Sequence, residues 1–218
     1  MEDRLTDTLY LEMTDATASD YAGGRVPAVL ATPGVSRATW WENVNRNRSD
    51  LPHKLPEFAL LGVYEADSTF VPPPPPPDLT GAHLFRRTPR PGQGSLSGRP
   101  TVGLSLVLVS PRSVDGAQAL RHWADFVHIR TIAETAVPGF TMITPYEHDA
   151  GGDPRFLHFY EMDTDDPEAA FIAMPKLVME RIGAPGTSAF DAWANHEELR
   201  IMYVNSFRRL GEASTPVS

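Results

Sequence analysis

The run of residues 156–162 carries one imidazole between aromatic side chains. Because successive side chains of a β-strand point to opposite faces, Phe156, His158 and Tyr160 share one face of the predicted strand. If that face looks into the interior of the fold, it lines a pocket with aromatic walls and one titratable group, which suits a small apolar or aromatic molecule. The alternative is that the face packs beneath helices, with His158 hydrogen-bonded to the backbone.

A second aromatic side chain and imidazole precede this strand, at Tyr146 and His148. They share a face of their own predicted strand, so Tyr146 is a further candidate contact for a small molecule. His148 stands next to a loop and is expected to be solvated. Glu147 and Glu161, on the two neighbouring strands, could form paired carboxylates, although solvated strand ends are the simpler interpretation.

Several other chemistries are excluded by residues that the sequence lacks. It contains no cysteine, which excludes disulfides, thiolate catalysis and sulfur-ligated metal sites and agrees with a reducing compartment. Its seven histidines show no compact ligand spacing such as HExxH. No glycine-rich phosphate loop follows a predicted strand, and no GxSxG motif is present. We therefore predict no metal and no other cofactor, and most nucleotide-binding and serine-hydrolase functions are disfavoured.

The charge balance bears on possible partners. The formal net charge is -9, and no run is rich in lysine or arginine. Binding to nucleic acid or to an anionic membrane surface requires clustered basic charge. The opening residues Met1–Arg4 do not resemble a signal peptide, and no apolar run approaches the length of a membrane span. We expect a cytoplasmic protein with no nucleic-acid or membrane partner.

The C-terminal half has patterns that assign these residues to elements. The predicted elements are a strand at 102–109, a helix from Ser113 or Asp115 to about Val137, strands at 139–148 and 156–162, a helix beginning at Asp166-Pro167-Glu168, a short helix at 190–199 and a strand at 200–210. The apolar face of the long helix slips in phase near His128. Such a slip indicates a kink, a break or a helix buried on two sides.

Parts of this pattern recur in the N-terminal half, where Pro33-Gly34 matches Pro138-Gly139 and Tyr64-Glu65 matches Tyr160-Glu161. A short helix near 27–31 and strands at 9–13, 35–44, 58–65 and 82–87 are predicted there. Six prolines at 72–77 replace the second helix and predict a stiff polyproline II spacer. Each half thus predicts the βαββ(α)β order of a ferredoxin-like unit. The predicted divisions are a degenerate repeat at 1–88, a linker at 89–100, a second repeat at 101–211 and a disordered tail at 212–218.

The order of motifs in the second half resembles the dimeric α+β barrel superfamily, especially its EthD-like members. The motifs are Trp123-x4-His128, Pro138-Gly139, Tyr146-Glu147, Tyr160-Glu161 and the Asp166-Pro167-Glu168 helix start. The resemblance implies two ferredoxin-like sheets that face each other and enclose a barrel. The predicted fold class is therefore α+β, with two ferredoxin-like βαββ(α)β repeats forming an intrachain pseudo-dimeric barrel in a monomer or homodimer.

The resemblance also implies a function. In similar barrels a histidine at the position of His128 often lies near the mouth of a pocket, so His128 is the candidate catalytic acid or base; the alternative is a histidine that bridges a helix kink. Trp123, Tyr146, His158 and Tyr160 are the candidate binding residues. The hypothesis is a small-molecule-binding protein, acting as a cofactor-independent oxygenase or cyclase on an aromatic or polyketide-like compound. A non-catalytic binding or interaction protein and a haem-binding barrel that uses His128 are the alternatives.

Overall fold

The computed structural model describes residues 6–51 and 53–215, so the predicted absence of a signal peptide at Met1–Arg4 lies outside the described residues. The strands are β1 (Thr8–Thr14), β2 (Val35–Asn43), β3 (Leu60–Ala66), β4 (Leu79–Arg87), β5 (Gln93–Gly94), β6 (Gly103–Pro111), β7 (Phe140–His148), β8 (Phe156–Met162) and β9 (Leu199–Ser214). The helices are α1 (residues 18–30), α2 (residues 117–135), α3 (Pro167–Ile182) and α4 (Ser188–Ala194). Among these helices, none is long and apolar enough to cross a membrane.

One antiparallel sheet contains the nine strands of the described residues, in the order β4-β1-β3-β2-β9-β6-β8-β7-β5. β4 also pairs with β7, with Phe85 opposite His148, so the eight long strands close into a barrel. The length of β9 allows this closure, because residues 199–208 pair with β6 and residues 207–214 pair with β2. Backbone hydrogen bonds therefore run around the whole ring.

This closed barrel contradicts the predicted fold class. We expected two ferredoxin-like βαββ(α)β repeats, each contributing its own sheet to a pseudo-dimeric barrel. The described residues instead form a single closed eight-stranded antiparallel barrel with four helices. Local sequence patterns do not reveal which distant strands pair, and the pairings of β2 with β9 and of β4 with β7 join all the strands into one sheet.

Two segments predicted to be irregular contain strand. Gln93 and Gly94, in the predicted linker, pair with β7 as strand β5. β9 continues to Ser214, so residues 212–214 of the predicted disordered tail are part of the sheet. The expected end of this strand was residue 210, immediately before Gly211. Its role is instead close packing, since a Cβ there would lie 2.2 Å from the Trp40 ring.

Apolar side chains fill the interior of the barrel. They include Leu9, Leu11, Leu61, Val63, Phe85, Leu104, Leu106, Leu108, Leu157, Phe159 and Phe207. The alternate side chains of the same strands point outward, where α1 covers one part of the sheet and α2, α3 and α4 cover another. Space for a ligand beside these strands therefore lies between the outer face of the sheet and the helices.

Helix α2 changes its buried face at a π-helical turn, Ala124–His128. A π turn inserts one extra residue, which rotates the following side chains by about 100° relative to those before it. Leu120 is buried before the turn and Ile129 after it. The turn accounts for the phase slip in the sequence, and it occurs without breaking the helix. Helix α1, which is longer than expected, contains a similar turn at Tyr21–Arg25.

We expect Phe85→Ala to lower the free energy of unfolding by about 3–5 kcal/mol, because Phe85 is fully buried where β4 and β7 close the barrel. Urea denaturation measures the loss. Val71→Ala is the matched control, since Val71 is 74% exposed and its truncation should cost about 0.5 kcal/mol or less. A loss below about 1 kcal/mol for Phe85→Ala would indicate that β4 is an open edge.

Candidate functional site

A cavity of about 320 Å³ lies between the sheet and helices α2 and α3. Its floor is the outer face of β6, β8 and β9, formed by Val107, Val109, His158, Tyr160, Ile201 and Val204. Its walls include Trp123 and His128 from α2 and Phe171, Met174 and Pro175 from α3. A volume near 300 Å³ and a largely apolar lining are typical of sites for small organic molecules.

His128 is the last residue of the π turn in α2 and lines the cavity. Its Nδ1 lies 2.9 Å from the carbonyl oxygen of Trp193. A carbonyl oxygen only accepts hydrogen bonds, so Nδ1 carries the hydrogen and Nε2 carries the lone pair. Burial lowers the pKa of His128, and the hydrogen bond to Trp193 opposes that shift. The ring is therefore a neutral imidazole whose Nε2 can accept a proton or a hydrogen bond.

Two tryptophans hold the His128 ring in place. Trp193 stacks on it with ring centroids 5.2 Å apart and planes 8° apart, and the Trp123 ring centroid lies at 5.0 Å. The indole Nε1 of Trp123 donates to the carbonyl oxygen of Ala192 at 2.7 Å. Ala192 and Trp193 both belong to α4, whose first turn is capped by the Thr187 side chain. The short helix α4 thus fixes the orientation and the tautomer of His128.

His158 lies near the middle of β8 and is only 5% exposed. Burial, with a smaller effect from His128, lowers the pKa of His158 to about 3. Among the described residues we find no hydrogen-bond partner for its ring, so the expected alternative of a backbone-bonded His158 is not observed. The strand face does pack beneath helices, but it also lines the cavity, and His158 is a neutral polar group in the floor.

Tyr160 follows on the same face of β8 and is 2% exposed. Burial raises the pKa of its phenol well above the usual value, so the group is neutral. Its ring meets Phe140 edge-on at a centroid distance of 5.9 Å. Four of the five predicted site residues, Trp123, His128, His158 and Tyr160, are thus brought together in one cavity.

Tyr146 is the exception. Its side chain lies in the barrel interior, and its hydroxyl donates to the carbonyl oxygen of Thr6 at 3.2 Å. The cause is the strand register: Pro145, and not Tyr146, is the residue of β7 opposite His158. A shift of one residue exchanges the two faces of a strand. The sequence placed Tyr146 on a strand but could not determine which of its faces joins His158.

The two strand carboxylates are also not paired with each other. Glu147 lies opposite Phe156 at one end of the β7–β8 pair and forms ion pairs with Arg121 and Arg155. Glu161 lies at the other end of β8, where it accepts a hydrogen bond from Thr101 at 3.2 Å. The two carboxylates lie at opposite ends of the strand pair and do not pair, and Glu161 is buried, so it is not the solvated strand end that we expected. Within the described residues, no group of three or more side chains is arranged to hold a metal ion.

One part of the site was missed by the sequence analysis. The loop between β2 and β3 (residues 44–59) contributes Arg48, Asp50 and Leu51 to the lining of the cavity. The Arg48 side chain is fully buried, contacts the Glu168 carboxylate and lies over the Phe171 ring at 5.0 Å. In the sequence it is one arginine in a polar run, and nothing distinguishes it there from the exposed Arg46.

The described part of the β2–β3 loop is attached to β9. The backbone N–H of Lys54 donates to the carbonyl oxygen of Met202 at 2.8 Å, and His53 Nε2 lies 2.8 Å from the carbonyl oxygen of Val204. Asn45 donates from Nδ2 to the Glu168 carboxylate at 3.0 Å. The loop thus connects β9 to the start of α3 across the cavity.

Comparisons with known proteins give a fold but no family assignment. No family model and no curated protein sequence matches the chain. Among solved structures, an anthrone oxidase-like protein is 16% identical, with a TM-score of 0.60 over 98% of this chain and 94% of that chain. A candidate monooxygenase from Lactobacillus acidophilus is 9% identical, with a TM-score of 0.50 over 96% of each chain. A mutant chlorite dismutase from Candidatus Nitrospira defluvii is 11% identical, with a TM-score of 0.50 over 97% of this chain and 93% of that chain.

The similarity to these structures concerns the fold, so the resemblance to the dimeric α+β barrel superfamily stays a prediction. The narrower EthD-like resemblance stays a prediction. At identities of 16% or less the likeness concerns the fold alone, and the chemistry of the cavity has to be argued from its own residues.

We expect the stability of the protein to fall as the pH decreases from about 6.5 toward 3. The folded state holds His158 neutral down to a pKa of about 3, whereas the unfolded chain takes up the proton near pH 6.5. The unfolded state therefore binds more protons in this window, and the free energy of unfolding decreases by up to about 1.4 kcal/mol per pH unit for this group.

Urea denaturation at several pH values between 4 and 7 measures this slope. His158→Gln should reduce the slope, even if it also shifts stability at every pH. His122→Gln, at an exposed histidine of α2, is the matched control. Parallel pH profiles for wild type and His158→Gln would contradict the burial of a neutral imidazole at this position.

Proposed function

We propose that the cavity binds a planar aromatic small molecule and that the protein oxidises it with dioxygen, without a resident cofactor. The observation that carries the proposal is the free Nε2 of His128, a basic nitrogen of defined tautomer at the wall of a largely apolar cavity. Positioned bases of this kind are suited to removing a proton from a weakly acidic C–H or O–H group.

The low pKa of His128 is compatible with this role. Burial disfavours an isolated imidazolium, so the ring stays neutral and able to accept a proton. Proton transfer from the substrate creates a cation and an anion side by side, and each stabilises the other in a medium of low dielectric constant. The resulting electron-rich carbanion can react with dioxygen. Conversion of a CH₂ group to a carbonyl places one oxygen atom in the product and the other in water.

The remaining lining residues suit binding of aromatic rings. Trp123, Tyr160 and Phe171 supply aromatic surface, and Val107, Val109 and Ile201 supply aliphatic surface. His158 contributes one N–H donor and one nitrogen acceptor, since its pKa of about 3 leaves the ring neutral. The description of one structural neighbour as anthrone oxidase-like agrees with an aromatic, polyketide-like substrate. A cyclase acting on such a compound would use the same base.

Binding without chemistry is the second candidate. An interaction protein needs no ligand space inside its barrel, and apolar side chains fill this barrel. The cavity outside the barrel would then serve to carry or sense the aromatic molecule. Turnover separates this candidate from the oxygenase, because both would bind the molecule.

Haem fits the cavity poorly. His128 has the features of an axial ligand, since a carbonyl oxygen fixes its Nδ1–H and leaves Nε2 free. However, about 320 Å³ lies at the lower end for small-molecule sites and is small for a macrocycle. The two haem propionates would also need cationic partners, and the enclosed side chain of Arg48, beside the cavity, is already paired with Glu168 and Asp50.

We expect the protein to accelerate dioxygen uptake with anthrone, a three-ring ketone with an acidic CH₂ group. His128→Gln should lower kcat/KM by about 10²–10⁴, because it removes the base, while the affinity for the product analogue anthraquinone changes little. An oxygen electrode measures uptake, corrected for the rate without protein, and tryptophan fluorescence measures binding.

His122→Gln serves as the control, since His122 is exposed on the same helix outside the cavity. Binding of anthraquinone without faster oxygen uptake would favour the binding protein. Equal activity of wild type and His128→Gln would exclude His128 as the base. A haem absorption band in the purified protein that is lost in His128→Ala would favour the haem alternative.

A further inference from the structure

We propose that residues 71–77, the polyproline segment, dock into an aromatic-lined groove with a basic rim on a partner protein domain. The inference goes beyond the proposed function, because no residue of this segment lines the cavity. It depends on four observations: a backbone conformation determined by proline, an exposed apolar edge, attachment to the fold at both ends, and acidic residues on either side.

Proline determines the backbone conformation of the segment. Each residue from Val71 to Pro76 precedes a proline, which disfavours the helical region, and each proline holds its own φ at about −65°. Residues 71–76 accordingly form neither helix nor strand. Both restrictions select polyproline II, an extended helix with about three residues per turn. Proline-rich ligands bind aromatic grooves in this conformation.

The extended form also serves the fold as a connector. β3 and β4 both pair with β1, and Ala66 lies opposite Thr8 whereas Leu79 lies opposite Thr14. The connection between them therefore returns along the length of β1, about 20 Å, and six residues of polyproline II span about 19 Å. This accounts for the length of the segment. It does not account for its outward surface, since any extended sequence could cover the same distance.

One edge of the segment is apolar and exposed. Because about every third residue of a polyproline II helix shares an edge, Val71, Pro74 and Pro77 lie along one line. All three are exposed, whereas Pro73 and Pro76, on a neighbouring edge, are half-buried against the protein. The exposed edge thus presents a valine and two proline rings to a partner.

The segment also offers hydrogen-bond acceptors. No described residue donates to the carbonyl oxygens of residues 71–75, whereas the carbonyl oxygen of Pro76 accepts from the backbone N–H of Leu79 at 3.2 Å. Polyproline II has no internal hydrogen bonds, so these oxygens stay unpaired within the segment as well. An aromatic groove can supply donors to them, because the indole of Trp and the phenol of Tyr each carry one.

Both ends of the segment are attached to the fold. Phe70, which precedes it, is 1% exposed, and its ring centroid lies 5.7 Å from that of Tyr10. Leu79, which follows the turn after it, begins β4. A segment that is already held in its binding conformation loses little conformational entropy when it docks. The apolar edge is therefore preorganised for a partner.

The charges beside the segment indicate the rim of the partner groove. Asp67 and Asp78 are exposed on either side of it, and neither forms an ion pair with another described residue. The formal net charge of the chain is -9. Complementary charge accelerates association, and like charge disfavours it. A fitting partner therefore carries lysine or arginine beside its aromatic groove.

Two small domains with aromatic grooves test the inference: a WW domain with arginine beside its groove, and an SH3 domain with acidic residues there. Titration calorimetry against the full-length protein measures each affinity. We expect the WW domain to bind with a Kd of about 10–300 μM, as for a small and transient interface. The SH3 domain should bind about fivefold more weakly or less.

Matched proline variants locate the contact. Pro74→Ala removes a ring from the exposed edge, and Pro73→Ala removes one from the edge that faces the protein. Each replaces one proline inside the segment, so the two variants differ in the edge that loses a ring. Pro74→Ala should weaken WW binding about fivefold or more, and Pro73→Ala about twofold or less, because only the first removes apolar surface that the groove covers.

A charge variant tests the basic rim separately. Asp78→Asn should weaken WW binding about twofold to threefold and strengthen SH3 binding, because it removes a negative charge beside the segment. Asp165→Asn is the matched control, since Asp165 is also exposed but lies in the loop between β8 and α3. It should leave both affinities unchanged. Circular dichroism checks that each variant is folded.

Each outcome bears on one step of the inference. If neither domain binds wild type, the docking proposal is wrong, while the proposed chemistry of the cavity is untouched. If Pro73→Ala and Pro74→Ala weaken binding equally, the exposed edge is not the contact. If the SH3 domain binds as tightly as the WW domain, the charge argument is wrong. Should Pro74→Ala not fold, an unchanged affinity in Pro77→Ala, on the same edge, overturns the inference.

Discussion

The pairing of β4 with β7 is the constraint on which the rest of the structure depends. It closes the sheet, so that one set of alternate strand residues is enclosed and the other faces outward. The enclosed set is apolar and packs densely, which leaves the outer face to carry polar and functional groups. Helices α2, α3 and α4 cover the outer face of β6, β8 and β9. The cavity is the space that remains between these helices and that face of the sheet. The position of the site thus follows from the closure of the barrel.

Burial determines the electrostatics of the cavity. Its imidazoles and its phenol are uncharged because the charged form of each would lose hydration without gaining a partner. Beside the cavity, the Arg48 guanidinium is buried in contact with the Glu168 carboxylate. The cavity therefore combines hydrogen-bonding groups with little net charge, a combination that suits oxygenated aromatic molecules. The π turn of α2 and the stacked Trp193 orient the His128 ring, and the hydrogen bond from Nδ1 to the carbonyl oxygen of Trp193 leaves Nε2 free.

Much of the site could be predicted, for identifiable reasons. His158 and Tyr160 share a face because strand side chains alternate, and the strand itself was evident from its residues. His128 and Trp123 were selected by resemblance to a superfamily, and both line the cavity. Tyr146 was also predicted to line the site, but its side chain lies in the barrel interior. Which face of β7 carries Tyr146 depends on how β7 pairs with β8. Arg48 could not be found from the sequence, since its burial depends on contacts with Glu168, 120 residues away.

By itself the sequence determined the local features of this protein. Periodicity gave most strands, the Asp166 cap gave the start of α3, and the phase slip near His128 marked the π turn. These properties depend on neighbouring residues, so a short window contains the information. Only the tertiary structure decided that the sheet closes as one barrel, that the cavity lies outside it and that the β2–β3 loop reaches the cavity. Those outcomes depend on pairings between distant strands. The burial and hydrogen bonds that stabilise such pairings involve residues far apart in the sequence, so a local pattern does not predict them.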